Sequence, residues 1–283
     1  MSGDGARTSP SPHRPSRWGE GRGEGRQQTP EQASAPHPDP LPASGQREHV
    51  SVIIPCLDEE EAIGPCVTGV LAQGVGEVIV VDGRSSDRTA ERAAAAGAEV
   101  LVEPRRGYGR AMQSGLAAMS PASTSVLFID GDGSDTPELV PSLLEPIEAG
   151  RADFVLGSRL RGEREPGSLA PAQIVAGRLA GLLIRLLYGA RFTDMSPFRA
   201  IRRDALDRLG MGEETFGWNL EMQMRVAAAG LRVVEVPVGQ RRPAGGISKV
   251  SGSWLTAMRA GWALAATFCR LAIDLRRAAR PSS

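Results

Sequence analysis

Between residues 50 and 156 of this 283-residue chain, short runs of aliphatic and β-branched residues alternate with alanine-rich stretches. The runs cover residues 50–54, 78–81, 99–102, 126–129 and 154–156, and the stretches between them cover 60–73, 88–96, 109–119 and 138–149. A strand apolar on both faces must be covered on both, and helices placed between strands supply that cover. The pattern therefore predicts an α/β domain with a mostly parallel sheet flanked by helices. Right-handed crossovers collect the C-terminal strand ends along one edge, where ligands bind in such sheets. The chemistry is expected at that edge.

The second half is less regular. It predicts strongly apolar helices at 171–188 and 254–277, a further helix at 217–229, strands at 197–201 and 233–238, and a glycine-bearing loop at 241–252. No internal repeat is present. Residues 1–48 consist largely of Pro, Gly, Ser, Arg and Gln and bury too little apolar surface to offset their ordering entropy. The expected organisation is a disordered tail at 1–48, one α/β domain at 49–252 and a C-terminal amphipathic helix with its tail at 253–283.

Lysine plus arginine and aspartate plus glutamate both total 33, so the formal net charge is zero and no nucleic-acid partner is expected. Cys56, Cys66 and Cys269 form neither a C-x-x-C pair nor a zinc-spaced cluster, which suits a reducing compartment. The polar, proline-rich start lacks the apolar core of a signal peptide. No uncharged apolar run reaches the ~20 residues that span a bilayer. A cytoplasmic location is expected.

The strongest local signal is Asp130-Gly131-Asp132-Gly133-Ser134-Asp135, delivered by the apolar run 126–129. Alternate carboxylates at a strand end cannot both lose water without a compensating cation, and Mg2+ or Mn2+ bridging a diphosphate would supply one. Glycine and aspartate are also ordinary turn formers, so the pair gains its weight from its position. The first strand ends in Pro55-Cys56-Leu57-Asp58-Glu59, and the second in Asp82-Gly83-Arg84-Ser85-Ser86-Asp87. Asp82 can accept hydrogen bonds from a base. Asp87 is read first as a cap of the following helix. Glu59 alone is equally well a helix-start acid.

These segments occur in one order with Leu156-Gly157-Ser158-Arg159, Thr193-Asp194-Met195-Ser196-Pro197-Phe198-Arg199-Ala200 and Gly246-Ile247-Ser248-Lys249. Together they resemble the family 2 glycosyltransferases with the GT-A-type, Rossmann-like fold, especially the branch of dolichol-phosphate and polyprenyl-phosphate sugar synthases. The resemblance runs from about Val50 to Gly252. It implies that Pro55, Leu57, Glu59, Asp82 and Asp130 contact the nucleotide of a UDP- or GDP-hexose. It implies that Asp130, Asp132 and Ser134 surround the metal. Arg159 and Lys249 then lie near the diphosphate or acceptor phosphate, and Asp194 and Arg199 lie on the acceptor side. Many relatives carry a second aspartate where this chain has Gly83, which loosens the inference about base or ribose contact. The resemblance also implies inversion at the anomeric carbon.

The metal and cations would neutralise the departing diphosphate, usually a large catalytic effect. A phosphate acceptor arrives ionised and needs positioning more than a base. A hydroxyl acceptor would need a carboxylate base, with Asp194 and Glu221 as candidates, although Glu221 reads equally well as a surface residue of its helix. Arg178 and Arg185 share one stripe of the apolar helix at 171–188, while Arg259 and Arg270 bracket an uncharged stretch of the last helix. Such helices suit either the anionic inner face of the cell membrane or packing on the sheet or in a homodimer seam.

Other classes fit less well. Gly107-Tyr108-Gly109 begins like a dinucleotide fingerprint, but Met112 replaces its third glycine and four residues separate it from the preceding strand. A sugar-1-phosphate nucleotidyltransferase would carry a lysine-bearing, glycine-rich loop after the first strand, and none is present. A catalytically dead scaffold would have no need of the intact Asp130, Asp132, Arg159 and Lys249 set.

Overall fold

The structure is a computed structural model that describes residues 47–244 and 254–278, with side chains described from 264 to 277 in the last segment. The expected tail lies almost wholly outside the described residues, as does the 246–249 motif with Lys249. Every apolar run forms a strand: β1 Val50–Cys56, β2 Glu77–Asp82, β3 Glu99–Val102, β4 Ser125–Phe128, β5 Phe154–Ser158, β6 Arg199–Arg202 and β7 Val233–Pro237. The helices are α1 Ile63–Leu71, α2 Thr89–Ala95, α3 Tyr108–Ala118, α4 Val140–Glu148, α5 Pro171–Tyr188, α6 Arg203–Leu209, α7 Trp218–Ala228 and α8 Trp254–Ala278. The sequence pattern did not reveal α6. Its seven residues bury Ala205, Leu206 and Leu209 and stop at Gly210 in the left-handed conformation.

The sheet order is β3-β2-β1-β4-β6-β5-β7. The pairs β1–β2, β1–β4, β2–β3 and β5–β7 are parallel, whereas β6 runs antiparallel to both β4 and β5. That one reversal has a functional consequence. The N-terminal end of β6 lies at the edge where its neighbours have their C-terminal ends, with Arg199 opposite Phe128 and Leu156. The 193–199 segment is thereby brought to the same edge as residues 130–135 and 159.

Alternation along the central strands sends Val52, Ile54 and Leu127 to one core, with Ile63, Val67 and Leu144 of the covering helices. Ile53, Val126 and Phe128 go to the other, with Met112, Trp218 and Leu271. Complete burial of each of these side chains stabilises the fold by roughly 1.5–3 kcal/mol. The expectation of two strongly apolar helices is not confirmed. Residues Arg270, Asp274, Arg276 and Arg277 of α8 are exposed, and no helix among the described residues is long and apolar enough to cross a membrane.

At the opposite edge, Asp153 precedes β5 and accepts hydrogen bonds from the Arg232 backbone (3.0 Å), Arg232 Nε (3.0 Å) and Arg202 Nη1 (3.1 Å). The Arg232 hydrogen bonds, with the charges of both arginines, hold its carboxyl at about 2. This folded value lies below the ordinary carboxylate range, so the contribution is present above about pH 4 and is lost as pH falls towards 2. Replacement of Asp153 by Asn is expected to lower stability at pH 7 by about 1–2 kcal/mol, allowing for the exposed arginines. The variant's stability should also decline less steeply between pH 4 and pH 2, as measured by urea unfolding at each pH.

Candidate active site

The strand ends at this edge are bound together by their own loops. Asp58 has a positive φ of 51°, and its Oδ1 accepts the Ser86 amide at 2.7 Å. The Asp58 amide donates to Ser85 Oγ at 2.8 Å, and the Glu59 amide donates to Thr89 Oγ1 at 2.8 Å. Buried Asp82 accepts the Ser85 amide on both oxygens, at 3.2 and 3.1 Å. Asp87 accepts the Thr89 amide at 3.0 Å from one position before the N-cap of α2, which is Arg88 rather than the expected Asp87. Pro55, Leu57, Glu59 and Asp82 thus form two cross-linked turns, with the Leu57 side chain partly exposed and no clash facing a Cβ at Gly83.

Beyond β4 the chain turns through the acid loop. A Cβ on Gly131 would lie 3.2 Å from both Ile54 and Ile63, which explains the small residue between the two aspartates. Gly133 takes φ 76°, a left-handed conformation that lets the loop fold back. The Asp130 amide donates to Asp135 Oδ2 at 3.2 Å, and the Ser134 amide donates to Asp132 Oδ1 at 2.9 Å. The expected third metal-side group, Ser134, is buried and contributes its backbone to this turn. Asp135, which sequence reasoning passed over as part of the turn, is the third carboxylate, almost fully buried and with Oδ1 lacking a hydrogen-bond donor. Burial, then its acidic neighbours, push Asp130 well above the usual range, and burial and Asp132 lift Asp135 to about 7. Such a cluster calls for a cation. Among the described residues no three His, Cys, Asp or Glu side chains are placed together to hold a metal ion. An ion here would take one or two carboxylates from the protein and complete its shell with phosphate and water, as Mg2+ commonly does.

Arg159 and Asp194 meet beside this loop in a fork-to-fork pair, with Nε–Oδ2 and Nη2–Oδ1 both 2.8 Å and the Arg159 amide 2.9 Å from Oδ2. Burial raises the Asp194 carboxyl, but the Arg159 hydrogen bonds and charge outweigh it and leave the carboxyl below its ordinary value. A carboxylate so held is a weak base. Glu221 is neither a surface residue nor a free base. It is buried and accepts from the amides of Gly212 (3.1 Å) and Glu213 (2.7 Å) and from Arg225 Nε (2.8 Å). Arg199, expected on the acceptor side, is fully buried and donates to the Ser196 and Asn219 carbonyls. Burial lowers it to about 10.

Two further features were not anticipated. The Tyr108 hydroxyl donates to Asp130 Oδ1 at 3.1 Å. The segment leading towards Lys249 is tied to the acid loop, the Arg241 amide donating to Ser134 O (2.9 Å) and the Ala244 amide to Asp132 O (3.0 Å). The glycines of the apparent dinucleotide fingerprint have a different purpose. A Cβ on Gly109 would lie 2.1 Å from the Glu213 carbonyl oxygen. The Gly109 and Arg110 amides at the start of α3 donate to the Thr215 and Glu214 carbonyls. A pyrophosphate finds no donors there, which removes the dinucleotide reading.

The model of glycosyl transferase family 2 matches residues 51–210. An uncharacterized glycosyltransferase of Mycobacterium tuberculosis is 41% identical over 207 residues, covering 72% of this chain and 90% of that protein. The undecaprenyl-phosphate mannosyltransferase of Micrococcus luteus is 34% identical over 220 residues, covering 72% and 88%. Among solved structures, glucosyl-3-phosphoglycerate synthase from Mycobacterium tuberculosis in complex with Mn2+ and UDP-glucose superposes with a TM-score of 0.66 at 24% identity, covering 82% of each chain, a likeness of fold. The acid loop on β4, the reversed β6 and these relationships agree: the chain belongs to glycosyl transferase family 2, in the branch that resembles the polyprenyl-phosphate sugar synthases.

Proposed function

We propose that this glycosyltransferase moves a hexose from a UDP- or GDP-linked donor to a polyprenyl phosphate at a membrane surface, with Mg2+ or Mn2+ at the acid loop. The observation that carries the reading is the cluster Asp130, Asp132 and Asp135 at a buried strand end, with donor-free Asp135 Oδ1 and the fixed Arg159 guanidinium beside it. Asp130 and Asp132 would hold the ion, which neutralises charge on the departing diphosphate. Pro55, Leu57, Glu59 and Asp82 form the nucleotide side. Arg159 is oriented by Asp194 and needs no reorganisation to face a phosphate, which makes its charge effective in the transition state. Lys249 is proposed as the second cation on the segment anchored to the acid loop. With Asp194 a weak base and Glu221 committed to amides and Arg225, the site favours an acceptor that arrives ionised, such as a phosphate oxygen.

The membrane contact is supported by α5. Val175, Leu179, Leu182 and Leu186 are exposed at helical spacing, and Arg178 and Arg185 are exposed along the same helix. An apolar stripe edged by arginines matches the acyl boundary and headgroups of an anionic leaflet.

Replacement of Asp132 by Asn is expected to reduce divalent-dependent sugar transfer by about 10²–10³-fold with an unchanged circular dichroism spectrum. Unaltered turnover would remove the proposed site. The wild-type protein is expected to co-float with anionic liposomes, and a Leu179→Asp, Leu182→Asp double variant to stay behind while retaining transfer to a short-chain, water-soluble acceptor. Equal flotation of both proteins would sink the membrane reading.

A further inference from the structure

Residues 212–215 are unusually well secured for a loop. Glu221 of α7 holds the Gly212 and Glu213 amides. Arg270 of α8 pairs with Glu213, and Arg110 of α3 pairs with Glu214. Glu213 in turn accepts from Thr215 Oγ1 at 2.6 Å. The glycines at 107 and 109 allow the loop carbonyls to approach α3 so closely that a Cβ at Gly107 would sit 2.4 Å from Glu214 O. Three helices therefore converge to fix this loop. The next residue, Phe216, is nevertheless 67% exposed.

One face of that ring is covered. Tyr108 stacks on it at 6.5 Å between centroids and 23° between planes. The Tyr108 hydroxyl donates to Asp130 and also hydrogen-bonds the Asn219 side chain. A continuous connection thus runs from the exposed ring, through the partly buried Tyr108 phenol, to the first carboxylate of the acid loop. Isolated exposed apolar residues are common and carry no message by themselves. An exposed aromatic ring on a triply anchored loop, coupled to a site carboxylate, is pre-organised for a ligand.

We propose that Tyr108 and Phe216 form the sugar-side wall of the donor site, with Tyr108 positioning the Asp130 carboxylate and the open face of Phe216 receiving the apolar C–H face of the hexose. The proposal rests on the nucleotide-sugar reading above. A pyranose presents polarised C–H groups on one face, and these suit the electron-rich face of an aromatic ring. The diphosphate end of the donor would lie towards Asp130, so a wall connected to that carboxylate is suitably placed for the sugar beyond it. Phe216 thereby acts on the hexose and Tyr108 acts through Asp130.

The test compares binding of a nucleotide sugar with binding of its bare nucleoside diphosphate, by calorimetric titration with Mn2+ and each of UDP-glucose, GDP-mannose, UDP and GDP. Phe216→Ala is expected to weaken the recognised nucleotide sugar about fivefold and to leave the bare diphosphate within about twofold. Phe216→Tyr should restore the difference. Tyr108→Phe is expected to weaken Mn2+ binding in the presence of the bare diphosphate, read from the paramagnetic resonance of free Mn2+, whereas Phe216→Ala should not. The wall is overturned if Phe216→Ala leaves nucleotide-sugar affinity unchanged, weakens both ligands equally, or alters only the KM for a long-chain polyprenyl phosphate. It is overturned also if Tyr108→Phe leaves Mn2+ binding intact. A wild-type protein that binds none of the four ligands would overturn the donor reading itself, an outcome distinct from wild-type binding with an unaffected variant.

Discussion

Mutual repulsion among Asp130, Asp132 and Asp135 is the constraint around which this edge of the sheet is organised. Three carboxylates leave one buried strand within six residues, and burial together with their shared charge makes simultaneous ionisation costly. The loop offsets part of that cost internally, since Asp132 and Asp135 each accept a backbone amide of the same loop. Tyr108 adds a donor to Asp130, and Arg159 brings an opposing charge. What remains is a negative field open to a cation, which is the property a diphosphate-transfer site requires.

The second requirement is a positive charge that does not wander, and the reversed strand supplies it. If β6 ran parallel to its neighbours, Asp194 would leave from the far edge and could not clamp Arg159, which follows β5. Reversal places the 193–199 segment between the ends of β4 and β5. Breaking a buried pair of this kind typically costs about 3–5 kcal/mol, because the remaining charge is stranded. Asp194 and Arg159 therefore join fold and chemistry in one interaction. Gln223 of α7 extends the anchorage by donating to the Asp194 carbonyl at 2.8 Å.

Much of the fold was legible because buried strands such as β1, β2, β4 and β5 write themselves as nearly unbroken apolar runs, and the partly exposed β3 and β7 still show β-branched ones. The direction of β6 was not, since a four-residue strand carries no mark of polarity, and α6 follows β6 directly, with no loop between them to mark its start. The acid loop was visible from its spacing alone, but the part of Asp135 was not, because an aspartate in a turn looks the same whether its side chain faces water or the interior. Glu221 read equally well as a base or as a surface residue of its helix, and only the tertiary approach of Gly212 and Glu213 shows why a carboxylate is buried there.

The candidate site residues thus fall into two physical kinds. Asp130 and Asp132 keep part of their surface accessible, as groups that meet a ligand must. Arg199, Asp194 and Glu221 are buried and committed to protein partners, and what they contribute is the fixed placement of others. In the proposed reaction that division has a chemical logic. A hydroxyl nucleophile would demand a buried or crowded carboxylate of raised pKa on the acceptor side, whereas the acid found there is held low by Arg159. An acceptor already carrying its negative charge needs no proton removed, only a rigid cation to meet it and a leaving group rendered stable, and those are the features this edge of the sheet has been built to hold still.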